Sequence, residues 1–342
     1  VVIQMAKLGD MVCTTPVFRA IKKQFPDCFL AVVGNSINKS ILEGNSDVDE
    51  YIVFNGILNA RKMISERKFD VAVITAPDVV SASVAYLGGV AHVIVPRVVG
   101  GYSSLESAEY KILRRFSYMT VVDHCMGQYA PREYLRLLEP LGIFSEDTSK
   151  KLYYSPEAER AMTNFLESSI INKDRPIIGI SPSAGNKIKN WGGKKFAELA
   201  TFLWGKYSAN IVVIGGPRDT EEVKEMLKFL PLNVLVINSA EKFSIDELKA
   251  LISKLNLFVS VDTGPIYIAE AFGVPTVDIT GPIDEREQPP IGPKHIVVTP
   301  PDPREPQLFV MNARVYNAEE ARRQVDSITV NMVFDACQKL IS

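Results

Sequence analysis

Short apolar runs alternate with amphipathic stretches along the first part of the chain. Each run is about four to six residues long, which is typical of parallel strands covered on both faces. Between the runs, a helix is predicted over Thr15–Phe25, with Thr15 as N-cap and Pro16 at its first position, and another over Ile57–Lys68. The alternation predicts right-handed crossovers and a doubly wound sheet. The predicted strands are Val1–Met5, Phe29–Val33, Tyr51–Phe54 and Val71–Ile74.

The same alternation restarts after residue 176. One of its helices begins with a capping box, because Ser244 is followed three residues later by Glu247. A last helix is predicted over Val330–Leu340. Two α/β domains in tandem are therefore expected, neither needing strands from the other. The predicted strands of the second domain are Ile177–Ser181, Ile211–Ile214, Leu235–Ile237, Leu257–Val261 and Thr276–Ile279, with His295–Val298 as a sixth.

The region from Pro96 to Ile143 interrupts this pattern and shows no clear strand. It is predicted to be helical over Glu106–Tyr118 and Arg132–Leu141, with Gly142 as a C-terminal stop. The domain boundary is predicted near residues 150–175, at a polar stretch.

The predicted domains cover residues 1–155 and 170–325, followed by a C-terminal helical segment, 326–342, that could pack back on the N-terminal domain. Two domains also suit the length, because 342 residues exceed the size at which a single hydrophobic core usually stops growing.

The composition excludes several classes of protein. The chain is 46% hydrophobic and 23% charged, as in a soluble globular protein, and its net charge of −2 offers no general field for nucleic acid. The four cysteines and three histidines show no metal-ligand or redox spacing, so no metal site is predicted and the thiols are expected to be reduced. No apolar run has the length of a membrane span, and no signal-peptide pattern is present. We therefore expect a cytoplasmic protein.

Several glycine- and hydroxyl-rich loops follow predicted strands, where ligands meet helix N-termini in doubly wound sheets. The first loop, Lys7–Pro16, contains Gly9 and Asp10. Asp10 is a candidate general base that would take a proton from an acceptor hydroxyl. A turn or helix cap is the alternative interpretation of the same carboxylate, and the spacing alone leaves both open.

The second loop covers residues 181–195 and suits a phosphate-bearing ligand, because backbone N–H groups and lysine ammonium groups can share an anion. It lacks the Walker spacing. The alternative is an exposed, solvated loop, but Trp191 argues against it because a large aromatic side chain must pack on something. The candidate ligand-binding residues of this loop are Ser183, Gly185, Lys187 and Lys189.

The third loop follows the strand that ends at Val261. Asp262, Thr263 and Gly264 precede Pro265 at the expected start of a helix, so free N–H groups of Thr263, Gly264 and Ile266 could receive a diphosphate. A plain turn capped by Asp262 is the alternative. A further loop, which contains Gly216 and Asp219, could hold a nucleoside.

Taken in order, these loops resemble the motifs of the ADP-heptose–lipopolysaccharide heptosyltransferases. That family carries an LGD…TP loop, a GA…K.WP…F..L stretch, a GGP loop and a D[ST]GP.H.A.A.G.P element. The resemblance covers essentially the whole chain and is weakest over residues 78–130. The matching residues are Leu8–Asp10 with Thr15 and Pro16; Ala184, Gly185, Lys189, Trp191, Phe196 and Leu199; Gly215–Pro217; and Asp262–Pro265 with Ala269, Ala271, Gly273 and Pro275.

The resemblance implies an α/β protein of the GT-B fold, with two Rossmann-like doubly wound domains facing a central cleft. The N-terminal domain would bind the acceptor and the C-terminal domain the nucleotide sugar. It implies an inverting, metal-independent glycosyltransferase that moves a heptose or similar sugar from an ADP-sugar to a lipopolysaccharide-core-type acceptor. The ADP-sugar is the donor substrate, and no cofactor is expected.

The resemblance also assigns roles to individual residues. Asp10 corresponds to the catalytic base, and Lys189 to the lysine that neutralises the donor's phosphates. Thr263 and Gly264 correspond to the diphosphate cradle, with Asp262 at the donor sugar. The remaining residues expected at the donor are Ser183, Gly185, Lys187, Gly216, Asp219 and Tyr267, with Asp219 near the ribose.

Two positions depart from the family pattern: Tyr267 replaces the usual histidine and Gly192 the usual proline. The first departure leaves the donor sugar open. A lipid-linked or oligosaccharide acceptor implies peripheral contact with the inner face of the membrane, for which Arg114–Phe116 is a candidate patch, with an ordinary surface helix as the alternative. Other nucleotide-sugar transferases, an epimerase, and a non-catalytic nucleotide-sugar or glycan-binding protein remain alternative functions.

Overall fold

Two six-stranded sheets form the protein, in a computed structural model that describes residues 1–116, 118–169, 174–301 and 304–341. Neighbouring strands are parallel in both sheets. The first sheet contains β1 (Val2–Ile3), β2 (Ala31–Gly34), β3 (Glu50–Val53), β4 (Val71–Ile74), β5 (His92–Val99) and β6 (Met119–Cys125). The second contains β7 (Ile177–Ser181), β8 (Asn210–Val213), β9 (Val236–Asn238), β10 (Leu257–Val261), β11 (Thr276–Ile279) and β12 (His295–Val298).

Both sheets reverse their strand order at one internal position. The first has the order β3-β2-β1-β4-β5-β6 and the second β12-β11-β10-β7-β8-β9, so the reversals lie at the β1/β4 and β7/β10 pairs. These are doubly wound sheets, as predicted, and ligands bind such sheets at the carboxyl ends of the strands beside the reversal.

Helices connect the strands. In the first half they are α1 (Leu8–Gln24), α2 (Ser36–Leu42), α3 (Ile57–Arg67), α4 (Val79–Leu87), α5 (Ala108–Leu113) and α6 (Ala130–Arg136), with a 3₁₀ turn at Glu139–Leu141. In the second half they are α7 (Pro156–Ser169), α8 (Gly193–Tyr207), α9 (Thr220–Phe229), α10 (Ile245–Ser253), α11 (Gly264–Ala271), α12 (Ala318–Ser327) and α13 (Val330–Leu340), with a 3₁₀ turn at Lys187–Lys189. The predicted capping box of α10 is confirmed, since Ser244 and Glu247 cap each other.

The chain divides into two compact units. The first consists of Val1–Tyr153 together with Arg286–Gln288 and Leu308–Val315, and the second consists of the rest of the chain from Tyr154. Part of the predicted boundary stretch, residues 170–173, lies outside the described residues.

The C-terminal helix α13 belongs to the second unit. Its buried Val333 and Ala336 join the same core as Val277 and Ile279 of β11. The expectation that segment 326–342 returns to the N-terminal domain is therefore corrected, because the apolar face of α13 completes the second sheet's own core. Residue 342 is outside the described part of the chain.

The prediction of no strand in the region that begins at Pro96 was wrong. Strand β5 runs through Pro96, and β6 follows as the edge strand. Proline is tolerated here because β4 pairs with β5 only over His92–Ile94, so Pro96 lies beyond that ladder. The mixed polarity of β6, which reads Met-Thr-Val-Val-Asp-His-Cys, is natural at an edge and hid the strand from a search for apolar runs.

The N-cap of helix α1 is Lys7, eight residues before the predicted N-cap Thr15, and Pro16 lies inside the helix. A proline there removes the N–H that would bond the carbonyl of Val12. The hydroxyl of Thr15 donates to that carbonyl at 2.8 Å, and so replaces the missing bond. The predicted first loop is therefore the opening of a helix.

Candidate functional site

The site in the second unit is built on the reversal between β7 and β10. The segment after β7 carries Lys189, and the turn after β10 carries Asp262. The ammonium of Lys189 lies 2.7 Å from Oδ2 of Asp262 and 2.5 Å from its main-chain oxygen. Both side chains are only 14% exposed, so this ion pair is largely shielded from water. The structure thus brings together two predicted site residues that lie 73 positions apart in the chain.

Tyr267 completes this cluster. Its buried hydroxyl donates to Oδ1 of Asp262, so both oxygens of that carboxylate have protein partners. Tyr267 stands on α11, one turn after Asp262. The residue that departs from the family motif therefore acts on Asp262, and Asp262 orients Lys189.

Helix α11 starts directly behind the cluster. Thr263 is its N-cap, and Pro265 lies in its first turn. Among the described residues, no hydrogen-bond acceptor faces the backbone N–H groups of Thr263 and Gly264. The N–H of Ile266 instead donates to the carbonyl of Thr263 at 3.1 Å, which corrects the expectation that it is free. Two amides and a helix N-terminus remain for an anion.

A second cluster lies beside the first, at the ends of β7 and β8. Asp219 accepts hydrogen bonds from Ser183 at 2.5 Å and from the N–H of Gly216 at 2.8 Å. The ammonium of Lys187 lies 3.0 Å from the hydroxyl of Ser183 and 2.8 Å from a carboxylate oxygen of Glu222. The predicted nucleoside and phosphate loops are thus joined by direct contacts. Glu222 was not anticipated from the sequence.

The segment that joins these clusters to α8 is held in place by the packing of Trp191. Trp191 is buried, with its Nε1 donating to the carbonyl of Ile328 at 2.8 Å and its ring 5.0 Å from that of Phe196. The packed tryptophan agrees with the argument against a solvated loop, although Gly185 within it is exposed. Gly192 has φ 103°, which proline cannot adopt, so the family's usual proline would not fit this backbone.

Asp10 lies in the first unit, in the opening turn of α1. One of its carboxylate oxygens accepts the N–H of Lys7 at 3.2 Å, so the capping role is realised. The side chain is only partly buried, which leaves it open to a substrate hydroxyl as well. Tyr134 of α6 is a neighbour that sequence reasoning missed: burial, and then the negative charge of Asp10, raise the pKa of its phenol. That Asp10 faces the donor site remains a prediction.

Asp278 of β11 is a second group that sequence reasoning missed. Its side chain is fully buried beside Asp262 and Lys189. An aspartate between Val277 and Ile279, inside an otherwise apolar strand, is the signal that could have revealed it.

Neither a metal nor a membrane-spanning helix is suggested by the described residues. In that part of the chain, no group of three or more His, Cys, Asp or Glu side chains could hold an ion. A search of the same residues finds no helix long and apolar enough to cross a bilayer.

A family model describes most of this chain. The model for glycosyltransferase family 9 (heptosyltransferase) matches residues 57–313, which is more than half of the sequence. The chain belongs to glycosyltransferase family 9. It is thus a glycosyltransferase, and the resemblance drawn from its loop motifs is confirmed.

Known relatives and structures agree with this membership. Lipopolysaccharide heptosyltransferase 3 of Escherichia coli is 25% identical over 295 residues, which cover 81% of this chain and 81% of that protein. A family 9 glycosyl transferase from Veillonella parvula DSM 2008 superposes with a TM-score of 0.81 at 22% identity, over 99% of this chain and 96% of that one. The E. coli ADP-heptose LPS heptosyltransferase II superposes with a TM-score of 0.76 at 21% identity, over 99% and 97%. The expected GT-B class is confirmed.

Proposed function

We propose that this family 9 enzyme transfers a heptose, or a closely similar sugar, from an ADP-sugar to a lipopolysaccharide-core-type acceptor with inversion at the anomeric carbon. The observation that carries the proposal is the shielded Lys189–Asp262 pair at the strand reversal, next to the open amides of Thr263 and Gly264. The names of its relatives, lipopolysaccharide heptosyltransferase 3 among them, favour heptose as the sugar.

On the donor side, the diphosphate would lie against the start of α11. Negative charge grows on the leaving diphosphate as the sugar–phosphate bond breaks, and preorganised donors at that place lower the barrier. Thr263 and Gly264 would supply N–H groups, and Lys189 would supply a positive charge. Because these groups can stabilise the leaving ADP without a metal ion, we propose a metal-independent reaction without a cofactor.

The nucleoside would lie on the neighbouring cluster. Asp219 would accept hydrogen bonds from the ribose hydroxyls, and Ser183 with Gly216 would shape the pocket around it. Lys187 is half exposed and shares its charge with Glu222, so we assign it a smaller part in phosphate binding than Lys189. Gly185, exposed in the same segment, would let the backbone approach the donor closely.

On the acceptor side, Asp10 would act as the general base. The acceptor oxygen attacks the anomeric carbon and forms the new glycosidic bond, the bond from that carbon to the phosphate oxygen breaks, and ADP leaves with its electron pair. The acceptor's proton passes to Asp10. Asp262, whose two oxygens are engaged by Lys189 and Tyr267, would orient Lys189 and limit the space for the sugar.

We further propose a cytoplasmic enzyme that touches the inner face of the membrane through a small patch of the first unit. Ile112 and Phe116 are 61% and 42% exposed, and Lys111 and Arg115 beside them are exposed cations. Arg114 does not contribute, because it is paired with Glu106 at 2.5 Å. Exposed aromatic and aliphatic side chains among cations suit an anionic lipid surface.

Vesicle binding tests this patch. Replacing Ile112 and Phe116 by serine should reduce co-sedimentation with vesicles rich in phosphatidylglycerol about fivefold or more, because each loses apolar surface that the interface would bury. Phe144→Ser is the matched control, because Phe144 is 80% exposed elsewhere in the first unit, and this variant should bind the vesicles like the wild type. Equal binding by all three proteins would assign the patch to an ordinary surface helix.

The activity is tested by incubating the protein with a panel of ADP-, UDP- and GDP-sugars, with and without a deacylated lipopolysaccharide-core acceptor. We expect ADP release that needs both ADP-heptose and the acceptor, with product of inverted configuration. Turnover of a nucleotide sugar without acceptor would indicate an epimerase. Tight donor binding without transfer to any acceptor would indicate a binding protein. A preference for a UDP- or GDP-sugar would mean that the donor is not an ADP-sugar.

A further inference from the structure

Asp278 is a buried carboxyl group with no hydrogen-bond partner among the described residues. The side chains of Val277 and Ile279 on either side of it belong to the core that α8 and α13 cover. Because side chains alternate along a strand, Asp278 points to the opposite face of the sheet, which α11 covers. It is 1% exposed, and neither carboxyl oxygen has a partner among the described residues.

Three charged groups act on Asp278, and two of them belong to the donor site. The three are Asp262, Lys189 and Glu270. Asp262 stands at the end of the neighbouring strand β10, Lys189 follows β7, and Glu270 lies on α11, where its Oε1 accepts the N–H of Ile291 at 3.1 Å. The buried carboxyl therefore lies near Lys189, which would face the diphosphate, and near Asp262, which orients Lys189.

The other polar groups around Asp278 already have partners. Ser260, its cross-strand neighbour in register, donates its hydroxyl to the carbonyl of Val261 at 2.7 Å. On β12, Nδ1 of His295 lies 2.9 Å from the hydroxyl of Thr276. The hydroxyl of Tyr267 on α11 bonds Asp262.

An ionised carboxylate at this place would be costly, because it is shielded from solvent and no described residue donates a hydrogen bond to it. Burial is the main cause that raises the pKa of Asp278 well above its usual range. The negative charge of Asp262 raises it further, and Lys189 opposes both effects. The carboxyl group is therefore held in its neutral form.

We propose that Asp278 holds a proton beneath the donor site and acts through Lys189 as a positioning residue. With Asp278 neutral, Lys189 faces one carboxylate, Asp262, and keeps positive potential for a diphosphate. If Asp278 ionises, Lys189 is shared between two carboxylates, and the site attracts the anion less. This inference rests on the proposed donor site and goes beyond it, because it makes donor binding depend on one buried proton.

The sign of the effect follows from linkage. A ligand that prefers the protonated state raises the pKa of that group when it binds, so binding takes up protons from solution at pH values near that pKa. Donor affinity should accordingly be highest with Asp278 neutral and should fall as the pH rises through its ionisation. Protein stability should also fall with rising pH. Because folding raises the pKa of Asp278, its contribution to stability is fully present below the unfolded-state pKa and is lost as the pH rises from there through the folded-state pKa.

Calorimetry with ADP as the probe tests this. We expect wild-type affinity to fall about tenfold or more as the pH is raised across the range in which the protein is stable, with proton uptake seen by titrating in buffers of different ionisation enthalpy. The asparagine in Asp278→Asn is neutral at every pH. In this variant ADP affinity should fall less with rising pH than in the wild type, and fewer protons should be taken up when ADP binds. The titration of ADP itself is common to both proteins and cancels in the comparison.

The control is Asp335→Asn, since Asp335 is exposed on α13, on the other side of the sheet. It makes the same substitution in the same unit and should retain the wild-type profile. Asp278→Val, also neutral and suited to a strand, serves if the asparagine variant does not fold.

Wild-type pH dependence and proton uptake in the neutral variants would overturn the inference. Failure of ADP to bind the wild type at any pH would instead count against the proposed function. In that case the loss of thermal stability with rising pH, present in the wild type and reduced in Asp278→Asn, still shows whether Asp278 holds the proton.

Discussion

Two helices, α1 in the first unit and α11 in the second, each begin next to an aspartate, but the two aspartates have opposite roles. At the start of α1, Asp10 lies inside the first turn, and its carboxylate accepts the N–H of Lys7 in the same turn. At the start of α11, Asp262 precedes the helix and is engaged by Lys189 and Tyr267. Among the described residues, the N–H groups of Thr263 and Gly264 face no acceptor.

In the proposed reaction, this difference would let two similar folds serve different halves of one transfer. A helix start that already holds its own carboxylate has little attraction for a phosphate, but it presents a fixed, partly exposed base. A helix start whose nearby carboxylate is neutralised by a lysine keeps its positive end for an anion. The position of one acid relative to the first helical residue therefore separates a candidate base from a candidate anion site.

Removing the base should give the largest effect. Asp10→Asn keeps a cap acceptor at the start of α1 but cannot take a proton, so turnover should fall by roughly 10²–10⁴ while ADP affinity stays near that of the wild type. Steady-state kinetics and calorimetry on the same preparation measure the two quantities. Turnover within a few fold of wild type would remove Asp10 from catalysis and leave it as a cap.

Removing the cation at the other helix start should affect binding more than chemistry. Lys189→Met keeps the length of the side chain and loses the charge, and ADP affinity should fall about 10- to 100-fold, the range for a charged hydrogen bond. Lys187→Met is the matched control, because Lys187 is half exposed and is expected to lose much less. Unchanged affinity in the Lys189 variant would mean that α11 does not hold the diphosphate.

The smallest effect is expected from the support of α1. Thr15→Val removes the hydroxyl that donates to Val12 and accepts the N–H of Lys151 at 3.2 Å, and should lower the free energy of unfolding by about 1–3 kcal/mol. Urea denaturation measures it, with Thr163→Val on the exposed side of α7 as control. If stability is unchanged, another group satisfies the Val12 carbonyl, and the account of how α1 tolerates Pro16 is wrong.

Strands with continuous apolar runs were predictable from the sequence, because both faces of a central parallel strand are buried. Ile177–Ser181, Leu257–Val261 and Thr276–Ile279 were predicted with the bounds that the structure shows. The edge strand β6 was not, because one side of an edge strand meets solvent and its residues need not be apolar. The start of α1 was missed for a different reason. A proline often marks the first position of a helix, and the sequence does not show that the hydroxyl of Thr15 bonds the Val12 carbonyl in place of the N–H that Pro16 lacks.

The sequence by itself determined the two alternating α/β halves, the loops rich in glycine and charge, and the identity of Asp10, Lys189 and Asp262 as candidates, because periodicity and motif order are local properties of the chain. Only the tertiary structure decided that Lys189 pairs with Asp262 across 73 positions, and that Asp278 is buried near that pair with no hydrogen-bond partner in the described part of the chain. The reason is physical. Strand order decides which distant loops meet, and burial decides which of their charges are neutralised. Neither strand order nor burial can be read from neighbouring residues alone.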